Sequence, residues 1–351
     1  MALLSLEAVR DGVRTDPSFH LHNLDLVRQA ILVLQLDEAA IRAASFLDDR
    51  ILTPQSMGRW TPIAEVARVQ SPPAPERPVH YIFHTGHVGS TLVSRLLDGV
   101  DGVLGLREPL PLRVLAAALP DLGAPHDLLG REAWRTLRDI HLAAWGRGYA
   151  QTRAVTVKAT SSAGACCAPL LEARDASRAV CLSLKPEAYL ATLLGGEKSA
   201  IDLRGQAQDR MKRLKQRTGA RLRPLHALSL GEIAALSWWV ETLAHADARR
   251  AFADRVLPID FDDFLDAPAA TLAAICAHFR LAAPAGRLEA LVNGPIMTRY
   301  SKAPEHAYTP DLRRQVLAQS RTQNAEEIRK GLAWIDALGR DAPDLADALS
   351  A

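Results

Sequence analysis

The chain has 351 residues, 48% of them hydrophobic, which is enough to form the core of one large domain or of a domain with a smaller appendage. Its formal net charge of +2 is too small to indicate nucleic-acid binding, although a slightly basic surface is compatible with an anionic ligand. The four cysteines lack metal-site spacing, and no stretch has the order of a secretory signal or the ~20 apolar residues of a membrane span, which favours a cytoplasmic protein.

Residues 1–75 are predicted to form a mainly helical region that ends in a proline-rich connector. Apolar residues recur at helical spacing over residues 24–36 and 38–47, which is typical of amphipathic helices. The segment 60–69 fits either a strand or one helical turn. Prolines between Ser71 and Pro78 are unsuited to a helix or sheet interior and predict an extended connector.

Residues 76–351 are predicted to form an α/β domain with a central parallel sheet. Short β-branched runs near residues 79–83, 155–157, 178–184 and 256–259 are separated by long helical patterns, as in parallel sheets with helical crossovers. The loops that begin at His84, Lys158 and Lys185 would then open on one edge of the sheet. Such sheets bind their ligands at the carboxyl ends of the strands.

The first of these strands leads into a glycine-containing loop and a helix start. Gly86 and Gly89 allow a tight bend, while Ser90 and Thr91 place hydroxyl and amide groups at the positive end of a helix dipole. This arrangement is suited to binding an anion such as phosphate. The loop is not the nucleoside-triphosphate motif G-x-x-x-x-G-K-[ST], because Ser90 follows the second glycine and the first lysine of the chain is Lys158. The dinucleotide motif G-x-G-x-x-G is also absent here.

The segment from Gly86 to Leu92 resembles the phosphosulfate-binding loop of the sulfotransferase family, whose pattern is P-[KR]-S-G-[ST]-T followed by an apolar residue. Four further stretches resemble later elements of that family in the same order. They are Arg107-Glu108-Pro109, residues 155–162, residues 178–192 with Pro186, and residues 256–264. The resemblance implies a P-loop-type three-layer fold. It also implies transfer of a sulfuryl group from 3′-phosphoadenylyl sulfate to a hydroxyl or amine of a small-molecule, lipid or glycan acceptor, with no metal.

The resemblance also assigns roles to individual residues. The loop residues Gly86, Val88, Gly89, Ser90 and Thr91 would hold the 5′-phosphosulfate, and His87 replaces the usual lysine or arginine near the bridging oxygen. For the 3′-phosphate, Thr192 replaces a serine, but Leu184 replaces an arginine. The missing charge would then come from Lys185, or more weakly from Arg299 or Lys302.

The catalytic base is the other departure from the family pattern. The histidine base of the cytosolic branch falls on Thr160, so Glu108 becomes the candidate base, with Lys158, Thr160 and Lys302 as weaker acceptor-side residues. Each assignment has a structural alternative. His87 would merely fill a loop, Glu108 would form a surface ion pair with Arg107 or Arg113, and Lys158 would be solvated.

Two questions stay open at the level of sequence. The basic segment 204–223 is interpreted first as a solvated helix face and second as a lid over an anionic substrate. For the function, the alternatives to a sulfotransferase are a P-loop nucleotide-dependent kinase or phosphotransferase, and a non-catalytic nucleotide-binding protein.

Overall fold

Two β-sheets organise the chain. The computed structural model describes residues 2–69, 77–196, 199–219, 222–299, 301 and 308–341. The N-terminal sheet has four strands in the order β1-β4-β3-β2, and the second sheet has five parallel strands in the order β6-β7-β5-β8-β9. The elements of the N-terminal region are β1 (Ala2–Leu3), α1 (Leu6–Thr15), β2 (Phe19–Asp25), β3 (Ala30–Gln35), α2 (Glu38–Ala43), β4 (Met57–Pro62) and α3 (Ile63–Arg68).

The prediction of helix over residues 24–36 was wrong. β2 and β3 form an antiparallel hairpin in which Asp25 pairs with Ala30. The cause is burial, since the four residues from Ile31 to Leu34 are all nearly inaccessible to solvent and a strand covered on both faces has no polar alternation. The prediction over residues 38–47 is confirmed for α2, and the segment 60–69 contains both a strand end and a short helix. Most of the predicted connector lies in residues 70–76, outside the described residues.

The second sheet and its helices account for the rest of the described chain. The elements up to the middle of the sheet are β5 (Val79–His84), α4 (Ser90–Asp98), β6 (Val103–Arg107), α5 (Leu110–Ala118), α6 (Arg131–Gly146), β7 (Ala154–Lys158), α7 (Cys167–Ala173) and β8 (Ala179–Ser183). The later elements are α8 (Pro186–Leu194), α9 (Ser199–Thr218), α10 (Leu230–Ala251), β9 (Val256–Asp260), α11 (Phe261–Asp266), α12 (Pro268–His278), α13 (Ala285–Val292), α14 (Pro310–Gln323) and α15 (Ala325–Asp341).

Helices cover both faces of the parallel sheet, which confirms the predicted three-layer α/β fold. Along the fully buried β5, Ile82 packs into one hydrophobic cluster, while Tyr81 and Phe83 pack into the other on the opposite face. The second cluster also contains Ile31 and Val33, so the N-terminal sheet shares its core with the parallel sheet. None of the described helices is long and apolar enough to cross a membrane.

The parallel register brings the carboxyl ends of all five strands to one edge. Lys158 at the end of β7 pairs with Ile82 of β5 and Arg107 of β6, and Ser183 of β8 pairs with Asp260 of β9. The loops after these strands therefore converge, as the alternating sequence pattern predicts.

Candidate functional site

The loop between β5 and α4 bends through a run of left-handed residues. The φ angles are +107° at Gly86, +55° at His87 and +69° at Gly89. Gly89 is the N-cap residue of α4, and among the described residues no side chain caps this helix end. The first amide groups of α4 are thus available to an anion, as the sequence predicts for a phosphate-binding loop.

Close packing beneath the loop requires glycine at its end. A Cβ added to Gly89 would lie 1.9 Å from Cε2 of Phe261, which begins α11 directly after β9. At Gly86 the added Cβ would lie 3.3 Å from the Cβ of Ser161, in the turn after β7. Residues that follow β7 and β9 therefore pack against the loop.

A pocket of about 210 Å³ opens at this loop. The described residues that line it come from the loop and α4, the end of α8, the start of α11 and the C-terminal part of the chain. They are His87, Val88, Gly89, Ser90, Thr91, Leu92, Thr192, Gly195, Gly196, Phe261, Met297, Arg299, Ser301, Tyr308, Arg313, Val316 and Leu317.

One residue that lines this pocket, Thr91, has a buried hydroxyl. Thr91 is 2% exposed, and its Oγ1 finds no hydrogen-bond partner among the described residues. Burying a hydroxyl without a partner costs stability, so such an atom needs an explanation. A phosphate oxygen bound at the first turn of α4 would accept a hydrogen bond from this hydroxyl.

Positive charge reaches the pocket from the C-terminal part of the chain. Arg299 and Arg313 both line it, and Arg313 forms an ion pair with Asp262 at 2.7 Å while its guanidinium lies 5.5 Å from the ring centre of Phe261. Arg299 is among the residues predicted from the sequence, whereas Arg313 is not, because no pattern in a solvent-facing helix start points to a pocket. Lys302 lies outside the described residues.

The residues predicted to hold a 3′-phosphate are only partly brought together. Thr192 lines the pocket, where its Oγ1 donates a hydrogen bond of 2.7 Å to the carbonyl of Ala188. Lys185 is exposed at the N-cap of α8 and does not belong to the described pocket lining. Leu184 is buried, and its carbonyl accepts a 3.0 Å hydrogen bond from Nε1 of Trp238.

Glu108 and Lys158 form an ion pair at the other half of the sheet edge. Lys158 is 1% exposed, its ammonium contacts Oε1 of Glu108, and the amide of Glu108 donates a 2.7 Å hydrogen bond to the carbonyl of Lys158. Arg107 is not the partner of Glu108. Its buried guanidinium pairs with Asp98 at 3.2 Å and donates to backbone carbonyls of the segment after β3. The lysine is thus a buried ion-pair partner and not a solvated strand end.

A segment of the N-terminal region covers this ion pair. The ring centre of Phe46 lies 5.6 Å from Nζ of Lys158 and 4.1 Å from the guanidinium carbon of Arg50. Hydrogen bonding to Asp48 raises the pKa of Arg50, and the carboxylate of Glu108 acts in the same direction. Nothing in the sequence pattern pointed to this cover, which depends on the packing of the N-terminal sheet.

The two residues predicted to be catalytic both have strained backbones. Among the described non-glycine residues, φ is positive at Gln29, His87, Glu108 and Arg280. Such strain is stabilised only by surrounding structure, and it is concentrated at functional sites. His87 is partly exposed, and its Nε2 lies 3.7 Å from Oδ2 of Asp202 in the first turn of α9.

Thr160 occupies the turn after β7, where the family resemblance would place a histidine. Its Oγ1 lies 3.2 Å from Oγ of Ser162, and the side chain is half-buried. Its hydroxyl belongs to the same sheet edge as Lys158. It has no group able to act as a base at neutral pH.

The basic segment is neither a uniformly solvated face nor a simple lid. Arg210 and Arg213 of α9 turn inward to the fully buried Glu241 of α10, at 3.1 Å and 2.9 Å. Burial alone would raise the pKa of Glu241, but the two guanidinium groups bring it below its ordinary value. The solvated interpretation applies to exposed members such as Lys215, and it is wrong for Arg210.

No protein-family model and no curated protein matches this chain. Among solved structures it is similar to the sulfotransferase domain from the curacin biosynthetic pathway, with 12% identity and a TM-score of 0.41 over 71% of this chain and 97% of that one. It is also similar to the sulfotransferase domain from the Synechococcus PCC 7002 olefin synthase, with 16% identity and a TM-score of 0.40 over 72% of this chain and 97% of that one. For sulfotransferase STF9 from Mycobacterium avium the identity is 13% and the TM-score is 0.38, over 74% of this chain and 79% of that one.

Proposed function

We propose that this protein is a sulfotransferase that moves a sulfuryl group from 3′-phosphoadenylyl sulfate to a hydroxyl or amine acceptor. The observation that carries the proposal is the uncapped N-terminus of α4 beside a pocket that Thr91 helps to line, since the buried hydroxyl of Thr91 has no partner among the described residues. The ordered sequence resemblance across residues 79–280 supports a phosphosulfate as the anion.

In this proposal the donor binds with its 5′-phosphosulfate at the loop. The amides of Gly89, Ser90 and Thr91, together with the Thr91 hydroxyl, would donate hydrogen bonds to the dianion. Thr192 and the guanidinium groups of Arg299 and Arg313 line the same pocket and would neutralise the 3′-phosphate. When it is bound, the donor supplies the activated sulfuryl group, and the protein supplies position and charge.

The transfer breaks the bond between sulfur and the bridging oxygen and forms a bond between sulfur and the acceptor oxygen or nitrogen. Negative charge develops on the departing phosphate, where the fixed amides of the loop stabilise it. The acceptor proton would pass to the carboxylate of Glu108. Because Lys158 holds Oε1, the proton would go to the second oxygen of the carboxylate.

Calorimetry with three nucleotides distinguishes this function from its alternatives. We expect adenosine 3′,5′-bisphosphate to bind in the absence of magnesium at least tenfold more tightly than ATP or ADP. A phosphotransferase would instead prefer ATP with magnesium, although the residues that normally hold magnesium and triphosphate are absent from the loop. Preference for ATP would refute the proposal.

Two substitutions then separate an enzyme from a nucleotide-binding protein. Arg313→Gln should weaken bisphosphate binding about tenfold or more, since it removes a charged hydrogen-bond donor from the pocket lining. Glu108→Gln should leave that affinity unchanged and reduce sulfuryl transfer, by the factor of about 10² to 10⁴ typical of a lost general base. Binding without any measurable transfer in the unmodified protein, over a broad panel of alcohols, phenols and amines, would instead support a non-catalytic nucleotide-binding protein.

A further inference from the structure

His87 occupies the loop position at which the family resemblance places a lysine or arginine. A neutral imidazole offers one hydrogen-bond donor and no charge, so it is a poor substitute for an ammonium group beside a phosphosulfate. A protonated imidazole would restore the charge. Whether His87 is charged therefore determines whether the loop contains any cation at all, because Gly86, Val88 and Ser90 cannot supply one.

Asp202 is the carboxylate placed to favour that charge. Its Oδ2 lies 3.7 Å from Nε2 of His87, and the side chains are 64% and 26% exposed, respectively. An opposite charge at this distance favours the protonated imidazole. Asp202 thus connects the first turn of α9 with the loop.

Contacts farther along α9 fix the position of the helix that carries Asp202. Farther along α9, Arg210 and Arg213 are held by the buried Glu241, and Arg210 also donates a 3.3 Å hydrogen bond to Oγ of Ser161. Ser161 is the residue whose side chain lies next to Gly86. The same contacts therefore fix α9 and the loop relative to each other.

Other charged groups line the same pocket as His87 or lie near the ends of β6 and β7. From the N-terminal region, Arg50 is paired with Asp48. At the ends of β6 and β7, Glu108 is paired with Lys158. At the C-terminal side of the pocket, Arg313 is paired with Asp262 and Arg299 lies on the lining. The cations in this set oppose protonation of His87, and Asp202 counteracts them.

We propose that Asp202 is a positioning residue that holds His87 as an imidazolium ion, so that the pair takes the place of the basic residue of a phosphosulfate loop. This inference rests on the proposed function, because the cation matters only for an anionic donor. Asp202 itself touches neither the donor nor the acceptor in this scheme.

The pH dependence of adenosine 3′,5′-bisphosphate binding tests the proposal. Calorimetry from pH 5.5 to 8.5 is compared with the same series for His87→Lys, in which the loop cation does not titrate and any remaining pH dependence belongs to the ligand and to other groups. The unmodified protein should lose affinity relative to His87→Lys as the pH rises.

In Asp202→Asn this loss should occur at lower pH, because the variant lacks the carboxylate that favours the protonated imidazole. Asp209→Asn, an exposed carboxylate on the same helix, is the matched control and should behave as the unmodified protein. The double variant Asp202→Asn/His87→Lys should keep the pH profile of His87→Lys. An Asp202→Asn profile equal to that of the unmodified protein would overturn the proposal, as would an unmodified profile equal to that of His87→Lys.

A second measurement separates this inference from the proposed function. If no variant binds the bisphosphate at any pH, the sulfotransferase function fails. The titration of His87 can still be followed by NMR in the ligand-free protein, with its signal assigned by its loss in His87→Lys. A midpoint that moves to lower pH in Asp202→Asn supports the pairing, and an unchanged midpoint refutes it.

Discussion

Replacing Thr91 by valine should stabilise the protein and weaken its binding of the donor at the same time. Valine keeps the volume and the branched shape of threonine, so it creates no cavity on the first turn of α4. It removes a hydroxyl that is 2% exposed and has no hydrogen-bond partner within the described structure. Removing an unsatisfied buried hydroxyl should raise the free energy of unfolding by about 1 kcal/mol.

The effect on binding has the opposite sign. A hydrogen bond to a charged group contributes about 1.5–3 kcal/mol, so Thr91→Val should weaken adenosine 3′,5′-bisphosphate binding by about 10- to 150-fold. Urea denaturation measures the stability of the ligand-free protein, and calorimetry measures the affinity. The hydroxyl is thus expected to be retained for the ligand and not for the fold.

Ser94 provides a matched control one turn later in α4. It is fully buried, its Oγ also finds no partner in the described part of the chain, and it does not line the pocket. Ser94→Ala should therefore stabilise the protein without changing the affinity. A role of the Thr91 hydroxyl in binding would be excluded if Thr91→Val bound the bisphosphate as tightly as the unmodified protein, or if both variants lost affinity equally.

Three further outcomes follow from the buried parts of the structure. Gly89 has a left-handed backbone, and an added Cβ would lie 1.9 Å from Phe261. Gly89→Ala should therefore lower the free energy of unfolding, measured by denaturation, by about 2–5 kcal/mol. It should also abolish bisphosphate binding, measured by calorimetry. Glu241→Gln should cost about 3–5 kcal/mol in the same denaturation assay, because it leaves two buried guanidinium groups without a counter-charge. Burial lowers the pKa of His141 to about 4 from 6.5, so the unfolded chain binds this proton first as the pH falls, and His141 alone should lower the stability between pH 6.5 and 4 by up to about 1.4 kcal/mol per pH unit. His141→Gln should flatten this slope, and an unchanged slope would contradict the assignment.

The parallel sheet and the glycine loop could be predicted from the sequence because their patterns involve only neighbouring residues. Strand β5, the glycine bend and the start of α4 are contiguous, and each has a pattern that depends only on neighbouring residues. The N-terminal hairpin was missed because β3 is buried on both faces. A continuous apolar run has neither the period of a helix nor that of a half-exposed strand, so helical spacing can be found in it by chance.

Contacts at the site between residues far apart in sequence could not be predicted from local patterns. Asp202, Phe46 and Arg313 reach the site from three different regions of the chain, and each does so through packing between elements far apart in sequence. Lys185 stays a prediction from the family pattern, since it is exposed at the N-cap of α8 and does not belong to the described pocket lining. A family pattern gives the order of residues along the chain. The residues that line the pocket depend instead on the packing of elements far apart in sequence.

The order of strands divides the site into two halves around β5. The pocket with Thr91, Thr192 and Arg313 belongs to the loops after β5, β8 and β9 and to the C-terminal helices, whereas Glu108 and Lys158 follow β6 and β7 on the other side. If the proposed donor binds by its phosphates in the first half and Glu108 is the base, its reacting end would face the second half, and the group to be transferred would lie above the central strand. His87 protrudes from the loop of that strand, which is why its charge should affect both donor binding and transfer, while Glu108 should affect transfer alone.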